Sequence, residues 1–315
     1  MNQEFATDLI KGLSSDPKCL YSKYFYDKRG SELFQEIMNL EEYYLTRCEF
    51  EILSTYKHDL LEIFQSDAPQ FELIEFGAGD GLKTKILLEY FLKQSSRFKY
   101  IPIDISSAAL KGLLEDLSKT LPKLQVEGVC DDYFKALKKL KLDSSVHKVV
   151  LFMGSNIGNF TPEQAQRFLV AIQENLNPGD LLMIGFDLKK NPHIVLNAYN
   201  DKKGITCEFN LNLLRRINRE MGADFEIKNF CHYPIYDPAS GAAKSYLMST
   251  VKQKVHVEKL DFTVEFEAWE AIHTETSHKY TPYMINRMAE EAGFERLTNF
   301  YDQRNYFTDS VWRVI

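Results

Sequence analysis

The sequence lacks the features that would place it in a membrane or on nucleic acid. No apolar run approaches the 18 residues that suggest a membrane-spanning helix, and the first residues lack the charged-then-apolar pattern of a signal peptide. The net charge of -7 provides no overall basic surface for a nucleic-acid backbone. With 44% hydrophobic and 26% charged residues, the composition is that of a globular protein. We therefore expect a soluble protein with no membrane or nucleic-acid partner.

Cysteine is scarce, and no metal-binding spacing accompanies it. The five cysteines are odd in number and include no C-x-x-C pair. We interpret them as free thiols in a reducing cytoplasm, because neither a disulfide framework nor a metal centre fits this pattern. We therefore expect a cytoplasmic protein without a bound metal, and the oligomeric state stays open, with a monomer favoured. The positions are Cys19, Cys48, Cys130, Cys207 and Cys231.

The chain is organised around a glycine-rich segment, FELIEFGAGDGLK at residues 71–83. Its apolar start predicts a short buried strand, and its glycines at alternate positions predict a tight turn that leads into a helix. Gly77, Gly79 and Gly81 leave no side chain between the main chain and a ligand. In an open α/β sheet, ligands bind at the carboxyl ends of the strands, so we predict a ligand site at this turn.

The residues around this turn suggest which ligand binds there. A dinucleotide fingerprint would need glycine at position 82, where this chain has Leu82. The second strand ends in Asp104, placed to hold a ribose diol, and the third ends in Asp132 and Tyr133, which suit an adenine. Lys83 starts the next helix, where the helix dipole disfavours a cation, so we predict that it meets a carboxylate of the ligand. This set favours S-adenosylmethionine over NAD, which stays an alternative.

A glycine- and asparagine-rich segment, GSNIGNF, follows the fourth predicted strand at residues 147–153. It begins with Gly154 and includes Asn159, whose amide can bind the carboxylate or amine of a small substrate. An asparagine that holds a left-handed turn is an equally good interpretation. The Asn/Asp-Pro-Pro-aromatic motif of methyltransferases that act on amino groups of nucleic acids is absent from this segment.

The periodicity of the chain predicts an α/β protein. Five short apolar runs alternate with helical patterns up to residue 186, which is typical of a parallel, doubly wound sheet. The third of these runs covers residues 124–129, and runs at 296–300 and 311–315 predict two further strands. Residues 190–278 differ in pattern and read as an inserted α+β region.

Two further segments carry candidate substrate-binding residues. Near the amino terminus, five tyrosines surround a short helix predicted to be capped by Ser31, and such a group can line a pocket for a small amphipathic molecule. In AIHTETSHKY at 271–280, alternation places Glu275 and Ser277 on one strand face. No second ligand cluster accompanies the two histidines there, so we expect no metal. The tyrosines are Tyr21, Tyr24, Tyr26, Tyr43 and Tyr44.

These motifs resemble those of the S-adenosylmethionine-dependent L-histidine Nα-methyltransferases of ergothioneine biosynthesis. The resemblance covers nearly the whole chain and rests on FYDKRGSELFQEI, EEYYLTR, EFGAGDGLKT, IPIDIS, FMGSNIGNFTP, AYNDKKGIT and ETSHKY. It implies a class I methyltransferase with a doubly wound, mostly parallel, seven-stranded sheet and a smaller α+β substrate domain. The implied domains are 47–189 with 279–315 for the methyltransferase, and 1–46 with 190–278 for the substrate domain.

The resemblance also implies roles for individual residues. The cofactor S-adenosylmethionine would be bound by Gly77, Gly79, Lys83, Asp104, Asp132 and Tyr133. The substrate would be bound by Tyr43, Gly154, Asn159, Tyr199, Ser245, Glu275 and Ser277, with the carboxylate at Asn159 and Tyr199 and the imidazole at Glu275 and Ser277. Tyr26 would lie near the reacting amine, and no residue is assigned as a general base. The implied reaction methylates the α-amino group of L-histidine up to the trimethyl betaine, hercynine.

One position departs from the family pattern and keeps other substrates open. Ser245 stands where the family often has a methionine that faces the substrate ring, so the pocket is roomier or more polar. Another amino acid such as tryptophan or tyrosine is therefore an alternative, although the Glu275 carboxylate favours an imidazole N–H. A catalytically idle S-adenosylmethionine-binding protein is a further alternative.

Overall fold

The structure is a computed structural model that describes residues 3–140 and 146–315; residues 1–2 and 141–145, which the predicted domain ranges include, lie outside the described part. No described helix is long and apolar enough to cross a membrane. The described helices are α1 (Gln3–Leu13), α2 (Lys28–Met38), α3 (Tyr44–Phe64), α4 (Thr84–Lys93), α5 (Ser107–Thr120), α6 (Tyr133–Leu140), α7 (Pro162–Gln173), α8 (Pro192–Ala198), α9 (Ile205–Met221) and α10 (Pro282–Glu291). The described strands are β1 (Gln70–Phe76), β2 (Arg97–Asp104), β3 (Gln125–Val126), β4 (Val129–Cys130), β5 (His147–Phe152), β6 (Leu181–Asp187), β7 (Phe230–Asp237), β8 (Ala242–Ser249), β9 (Gln253–Val257), β10 (Phe262–Phe266), β11 (Ala271–His278), β12 (Phe294–Tyr301) and β13 (Phe307–Val314).

The chain divides into two compact units. Unit 1 comprises Met1–Tyr44 and Lys190–His278, and unit 2 comprises Leu45–Lys189 and Lys279–Ile315. Unit 2 is built on one sheet of order β12-β13-β6-β5-β1-β2, beyond which β3 and β4 both pair with β2. The strands from β6 to β4 run parallel, and β13 is antiparallel to both of its neighbours. The mostly parallel sheet predicted from the sequence is therefore confirmed.

Helices cover both faces of this sheet. On one face, Phe64 of α3 and Phe91 of α4 pack edge-on against Phe71 of β1. On the other face, Phe168 of α7 and Ile285 of α10 are fully buried in the core. The sheet is therefore doubly wound, and its parallel strands all end at the edge that carries the glycine turn.

The third predicted strand, 124–129, is present as the two short pieces β3 and β4, so the seven predicted strand positions contain eight strands among the described residues. On this side of β2, the Tyr100 carbonyl oxygen accepts a hydrogen bond from Glu127 N at 2.9 Å. Pro102 lies two residues further along β2, so its backbone nitrogen faces the same neighbouring strand as the Tyr100 carbonyl. Proline has no N–H, so it cannot donate the next hydrogen bond of the ladder. The ladder is interrupted there and resumes in β4.

Residues 190–278 leave and re-enter unit 2 at neighbouring points. Lys189 N donates to the Tyr280 carbonyl oxygen at 2.8 Å, and Tyr280 N donates to the Asp187 carbonyl oxygen at 2.9 Å. Between them, Lys279 Nζ pairs with Asp187 Oδ2 at 2.8 Å, and both side chains are 0% exposed. The two segments of unit 2 that flank residues 190–278 are therefore joined directly by hydrogen bonds and an ion pair.

Unit 1 contains a three-stranded antiparallel sheet of order β11-β8-β7 and a hairpin of β9 and β10. Helix α9 packs on this sheet, where its Leu213 and Leu214 join Leu247 of β8 and Ile272 of β11 in one apolar core. Because Leu247 pairs directly with Ile272, both side chains point to the same face of the sheet. We call this the inner face.

Helix α2 begins at Lys28, so the predicted cap at Ser31 is wrong. Asp27 is the actual cap, because its carboxylate accepts a hydrogen bond from Gly30 N at 2.7 Å. Gly30 allows this early start, since a Cβ there would lie 1.8 Å from the Phe25 carbonyl oxygen.

Candidate functional site

The turn after β1 brings Gly77, Gly79 and Asp104 together. Gly77 has a φ of +70°, and a Cβ there would lie 2.8 Å from the Tyr133 hydroxyl. At Gly79 no described atom lies within 4 Å of the Cβ position, and its N–H donates to Asp104 Oδ2 at 3.1 Å. Asp104 Oδ1 accepts from Ser106 N at 2.8 Å. The carboxylate is therefore fixed at the ends of β1 and β2, with lone pairs left for the hydroxyl groups of a ligand.

Asp132 and Tyr133 lie at the start of α6. Asp132 caps this helix, because one carboxylate oxygen accepts from Lys135 N at 2.9 Å and the other pairs with Lys135 Nζ at 3.0 Å. The Tyr133 ring centroid lies 5.5 Å from that of Phe76. Burial, and then the nearby Asp104 carboxylate, raise the pKa of Tyr133 to about 12. Its hydroxyl is therefore neutral at physiological pH and lies against the glycine turn.

The buried Glu49 carboxylate connects Lys83 with Gly154. Lys83, at the start of α4, pairs with Glu49 of α3, whose side chain is 1% exposed. The second Glu49 oxygen accepts from Gly154 N at 2.7 Å. Burial lowers the pKa of Lys83, but the surrounding carboxyl groups, Glu49 foremost, outweigh burial together and raise it. Two residues that the sequence suggested separately are thus held together by Glu49, which it did not suggest.

Asp309 of β13 extends this buried cluster. Burial, and then the neighbouring Glu49 carboxylate, raise the pKa of Asp309 well above its usual range. Gly185 of β6 pairs with Asp309, and a Cβ at Gly185 would lie 2.5 Å from Glu49 Oε1. Glycine at position 185 therefore leaves room for the Glu49 carboxylate against strand β6. A glycine within the apolar run at 181–186 was the sequence signal of this cluster.

Glu75 of β1 is a third buried carboxyl group near Lys83. Its Oε1 accepts from Thr84 Oγ1 at 2.7 Å, and its Oε2 accepts from the Tyr100 hydroxyl. Burial raises the pKa of Glu75 to about 7, against the opposing effect of these two hydrogen bonds. Because the group ionises near neutral pH in the folded state, it makes the stability of unit 2 depend on pH.

Replacing Glu75 with glutamine is expected to remove a pH-dependent loss of stability. The folded-state pKa is raised to about 7 from an ordinary 4.5, so the folded protein holds a proton that the unfolded chain has lost across this window. Stability therefore falls as pH rises from 4.5 to 7, by about 3 kcal/mol at 1.36 kcal/mol per unit. Urea unfolding of Glu75→Gln and the wild type at several pH values measures this. Parallel pH profiles would contradict the assignment.

The segment after β5 is bent sharply beside the glycine turn. Gly154 and Ser155 have φ values of +75° and +57°, and a short 3-10 helix, Asn156–Asn159, follows them. Asn156 Nδ2 donates to the Met153 carbonyl oxygen at 2.9 Å and lies 3.8 Å from the Cβ position of Gly77. Asn159, at the other end of the short helix, is exposed. Asn156 is therefore closer to the glycine turn than the predicted Asn159.

Three predicted residues of unit 1 lie on the inner face of its sheet. Ser245 of β8 is two residues from Leu247 and so shares its face, and it pairs directly with Glu275 of β11. Ser277 is two residues beyond Glu275 and 4% exposed. Ser245 is 0% exposed, and its hydroxyl has no hydrogen-bond partner among the described residues. The structure thus groups two hydroxyls and a carboxylate on one surface.

The predicted tyrosines of unit 1 lie in an aromatic cluster or at a helix end. Tyr26 is 49% exposed and meets Phe34 and Phe209 edge-on at 5.5 and 5.8 Å. Tyr43 contacts Phe34 at 6.1 Å, and Tyr199 ends α8 and is buried. Of the predicted site residues, those for the cofactor, with Gly154 and Asn159, belong to unit 2; all the others belong to unit 1.

The described residues include no group of three His, Cys, Asp or Glu side chains placed to hold a metal ion. His273, considered from the sequence, instead has its Nε2 2.8 Å from Thr276 Oγ1. The five cysteines form no disulfide with one another.

Comparisons with known proteins identify relatives across the whole chain. Residues 5–314 match the profile of a family described as histidine-specific methyltransferases, SAM-dependent. The histidine N-alpha-methyltransferase of Mycobacterium tuberculosis is 34% identical over 95% of this chain and 92% of its own. That of Mycolicibacterium smegmatis is 34% identical over 92% of this chain and 88% of its own. Ergothioneine biosynthesis protein 1 of Schizosaccharomyces pombe is 30% identical over 89% of this chain and 37% of its own.

Proposed function

The chain belongs to the family of histidine-specific, S-adenosylmethionine-dependent methyltransferases, and from that premise we propose that it methylates the α-amino group of L-histidine. The family match over residues 5–314 carries the proposal, and the names of the relatives support histidine as the substrate. We extend the proposal to repeated methylation up to the trimethyl betaine, in ergothioneine biosynthesis in the cytoplasm. The enzyme itself uses S-adenosylmethionine, whose sulfonium supplies an electrophilic methyl group.

The residues of unit 2 fit this cofactor. Gly79 leaves open space over the main chain, and Asp104 beside it keeps lone pairs for ribose hydroxyls. Lys83 carries a positive charge near Gly154, which suits the carboxylate of the methionine part. In the proposal, Asp132 and Tyr133 bind the adenine and Gly77 lets the chain approach it.

The inner face of unit 1 fits the imidazole. The Glu275 carboxylate accepts a ring N–H, and Ser277 is placed to contact the ring from the same face. Asn159 and Tyr199 would bind the substrate carboxylate, with Tyr43 lining the pocket and Tyr26 near the amine.

Only the neutral amine has the lone pair that attacks the methyl carbon, and neutralising it costs about 2.7 kcal/mol if its pKa lies about two units above ambient pH. Desolvation of the amine by these aromatic side chains reduces that cost. Holding the nitrogen in line with the methyl group can lower the activation barrier by roughly 7–11 kcal/mol.

Calorimetric titration of L-histidine into protein saturated with S-adenosylhomocysteine tests the substrate. We expect histidine to bind, and tryptophan and tyrosine in parallel titrations not to bind. Asn159→Ala is expected to weaken histidine binding by about 10-fold to 100-fold, because a hydrogen bond to a charged group is worth about 1.5–3 kcal/mol. Its affinity for S-adenosylhomocysteine should stay unchanged. Equal weakening of both ligands would contradict the role of Asn159.

A second candidate is the same chemistry on another aromatic amino acid, and Ser245 is the observation that favours it. This small residue lies directly opposite Glu275, and its buried hydroxyl has no described partner, so it offers a polar group next to the proposed ring position. Tryptophan or tyrosine binding in the titrations above, without histidine binding, would replace histidine as the substrate.

A further inference from the structure

Strand β11 contains one residue more than its partner β8 at the position of Thr274. His273 pairs with Tyr246 and Glu275 pairs with Ser245, so Thr274 has no partner of its own and forms a β-bulge. A bulge places two residues of one strand opposite one residue of the other and changes the direction in which later side chains point.

This bulge decides which face Glu275 occupies. Ile272 points to the inner face, and with strict alternation Glu275, three residues later, would point to the outer face. Because of the extra residue, Glu275 pairs with Ser245 and lies on the inner face, together with Ser277. Thr276, bonded to His273 at 2.8 Å, lies on the outer face.

The bulge is held by a buried polar pair. The Thr274 hydroxyl, on a residue that is 1% exposed, donates to Asn210 Oδ1 at 2.8 Å and shares the bond with the Ser245 carbonyl oxygen at 3.0 Å. Asn210 of α9 is 0% exposed, and its Nδ2 donates to the Thr206 carbonyl oxygen at 3.0 Å, which fixes the orientation of the amide. A helix and both strands thus meet at one hydroxyl group.

We propose that Thr274, held by Asn210, is a positioning residue that aims the Glu275 carboxylate at the side-chain ring of the substrate. The proposal rests on the proposed function, in which Glu275 recognises the imidazole. A buried side-chain amide and hydroxyl that serve only packing would cost stability relative to apolar residues. Their placement at the one irregular point of β11 gives them a specific task, because a misplaced carboxylate would lose its hydrogen bond to the ring N–H.

Thr274→Val tests this role, since valine keeps the branched shape and removes the hydroxyl. We expect the KM for histidine to rise about 10-fold to 100-fold, as for a small misplacement of a binding group, with the affinity for S-adenosylhomocysteine unchanged. Thr274→Ser restores the hydroxyl and is expected to restore the KM. Thr276→Val is the matched control, because it removes a bonded hydroxyl two residues away on the outer face and should leave the KM unchanged. Equal effects of Thr274→Val and Thr276→Val would overturn the proposal.

A double-mutant cycle with Glu275→Gln separates positioning from a general structural effect. If Thr274 acts through Glu275, adding Thr274→Val to Glu275→Gln changes the KM for histidine far less than it does alone. Additive effects overturn the positioning role. The wild type is measured first: no methylation of histidine overturns the proposed function and the role of Thr274 with it. Methylation of histidine with an unchanged KM in Thr274→Val overturns the positioning role alone.

Discussion

Lys83→Met is expected to weaken the binding of S-adenosylhomocysteine by about 100-fold, near the upper end of the 1.5–3 kcal/mol typical of a charged hydrogen bond. The change removes the ammonium proposed to meet the ligand carboxylate. It also leaves the buried Glu49 carboxylate without its counter-ion, so that Glu49 repels the ligand. Calorimetry with S-adenosylhomocysteine measures this. The same titration with 5′-methylthioadenosine, which lacks the amino-acid part, should give nearly unchanged affinity.

Two further variants separate this effect from general damage. Lys85→Met removes another ion-paired lysine from the first turn of α4, where Lys85 pairs with Asp116, and should leave both affinities unchanged. The double variant Lys83→Met/Glu49→Gln also removes the uncompensated Glu49 charge. It should therefore bind S-adenosylhomocysteine more tightly than Lys83→Met does, but still more weakly than the wild type. Equal losses for both nucleosides in Lys83→Met would refute the assignment of Lys83 to the carboxylate.

Lys279→Met is expected to lower the free energy of unfolding by about 3–5 kcal/mol, because it removes the Lys279 ammonium from the buried Asp187 carboxylate. Both partners of this pair are 0% exposed, so water cannot replace the lost ammonium. Urea unfolding followed by tryptophan fluorescence is a suitable measurement, since Trp312 lies in the core of unit 2.

The matching double variant, Asp187→Leu/Lys279→Met, should recover much of this loss, because well-packed apolar residues often replace a buried ion pair without cost. Arg287→Met removes an exposed ion pair with Glu291 in α10 and should have little effect. A small effect of Lys279→Met would contradict the expected contribution of this ion pair to stability.

Local patterns predicted much of the fold because their causes are local. Thr161 and Gln164 form a capping box at the start of α7, which their spacing in the sequence is sufficient to predict, and the glycine turn follows its predicted strand. The cap of α2 was placed wrongly because serine and aspartate are both good caps, and the choice depended on the space at Gly30. The split of the third strand follows from Pro102, which lies in the neighbouring strand and not in the strand it interrupts.

The candidate site was harder to predict where distant residues determine it. Glu49 reads as one more polar residue of a long helix, and its contacts with Lys83, Gly154 and Asp309 depend on packing across the sheet edge. Alternation correctly places Glu275 and Ser277 on a common face, because both follow the bulge. It gives the wrong face relative to Ile272, since an extra residue in one strand is visible only when its partner is known.

The direct junction between Lys189 and Tyr280 has a consequence for how the inserted segment, residues 190–278, can change in length. The junction closes a loop made of residues 190–278, and the entropy of closing a flexible loop grows only logarithmically with its length. Each doubling of such a loop costs about 0.6 kcal/mol. Insertions and deletions between these two anchor points are therefore expected to destabilise the sheet of unit 2 very little.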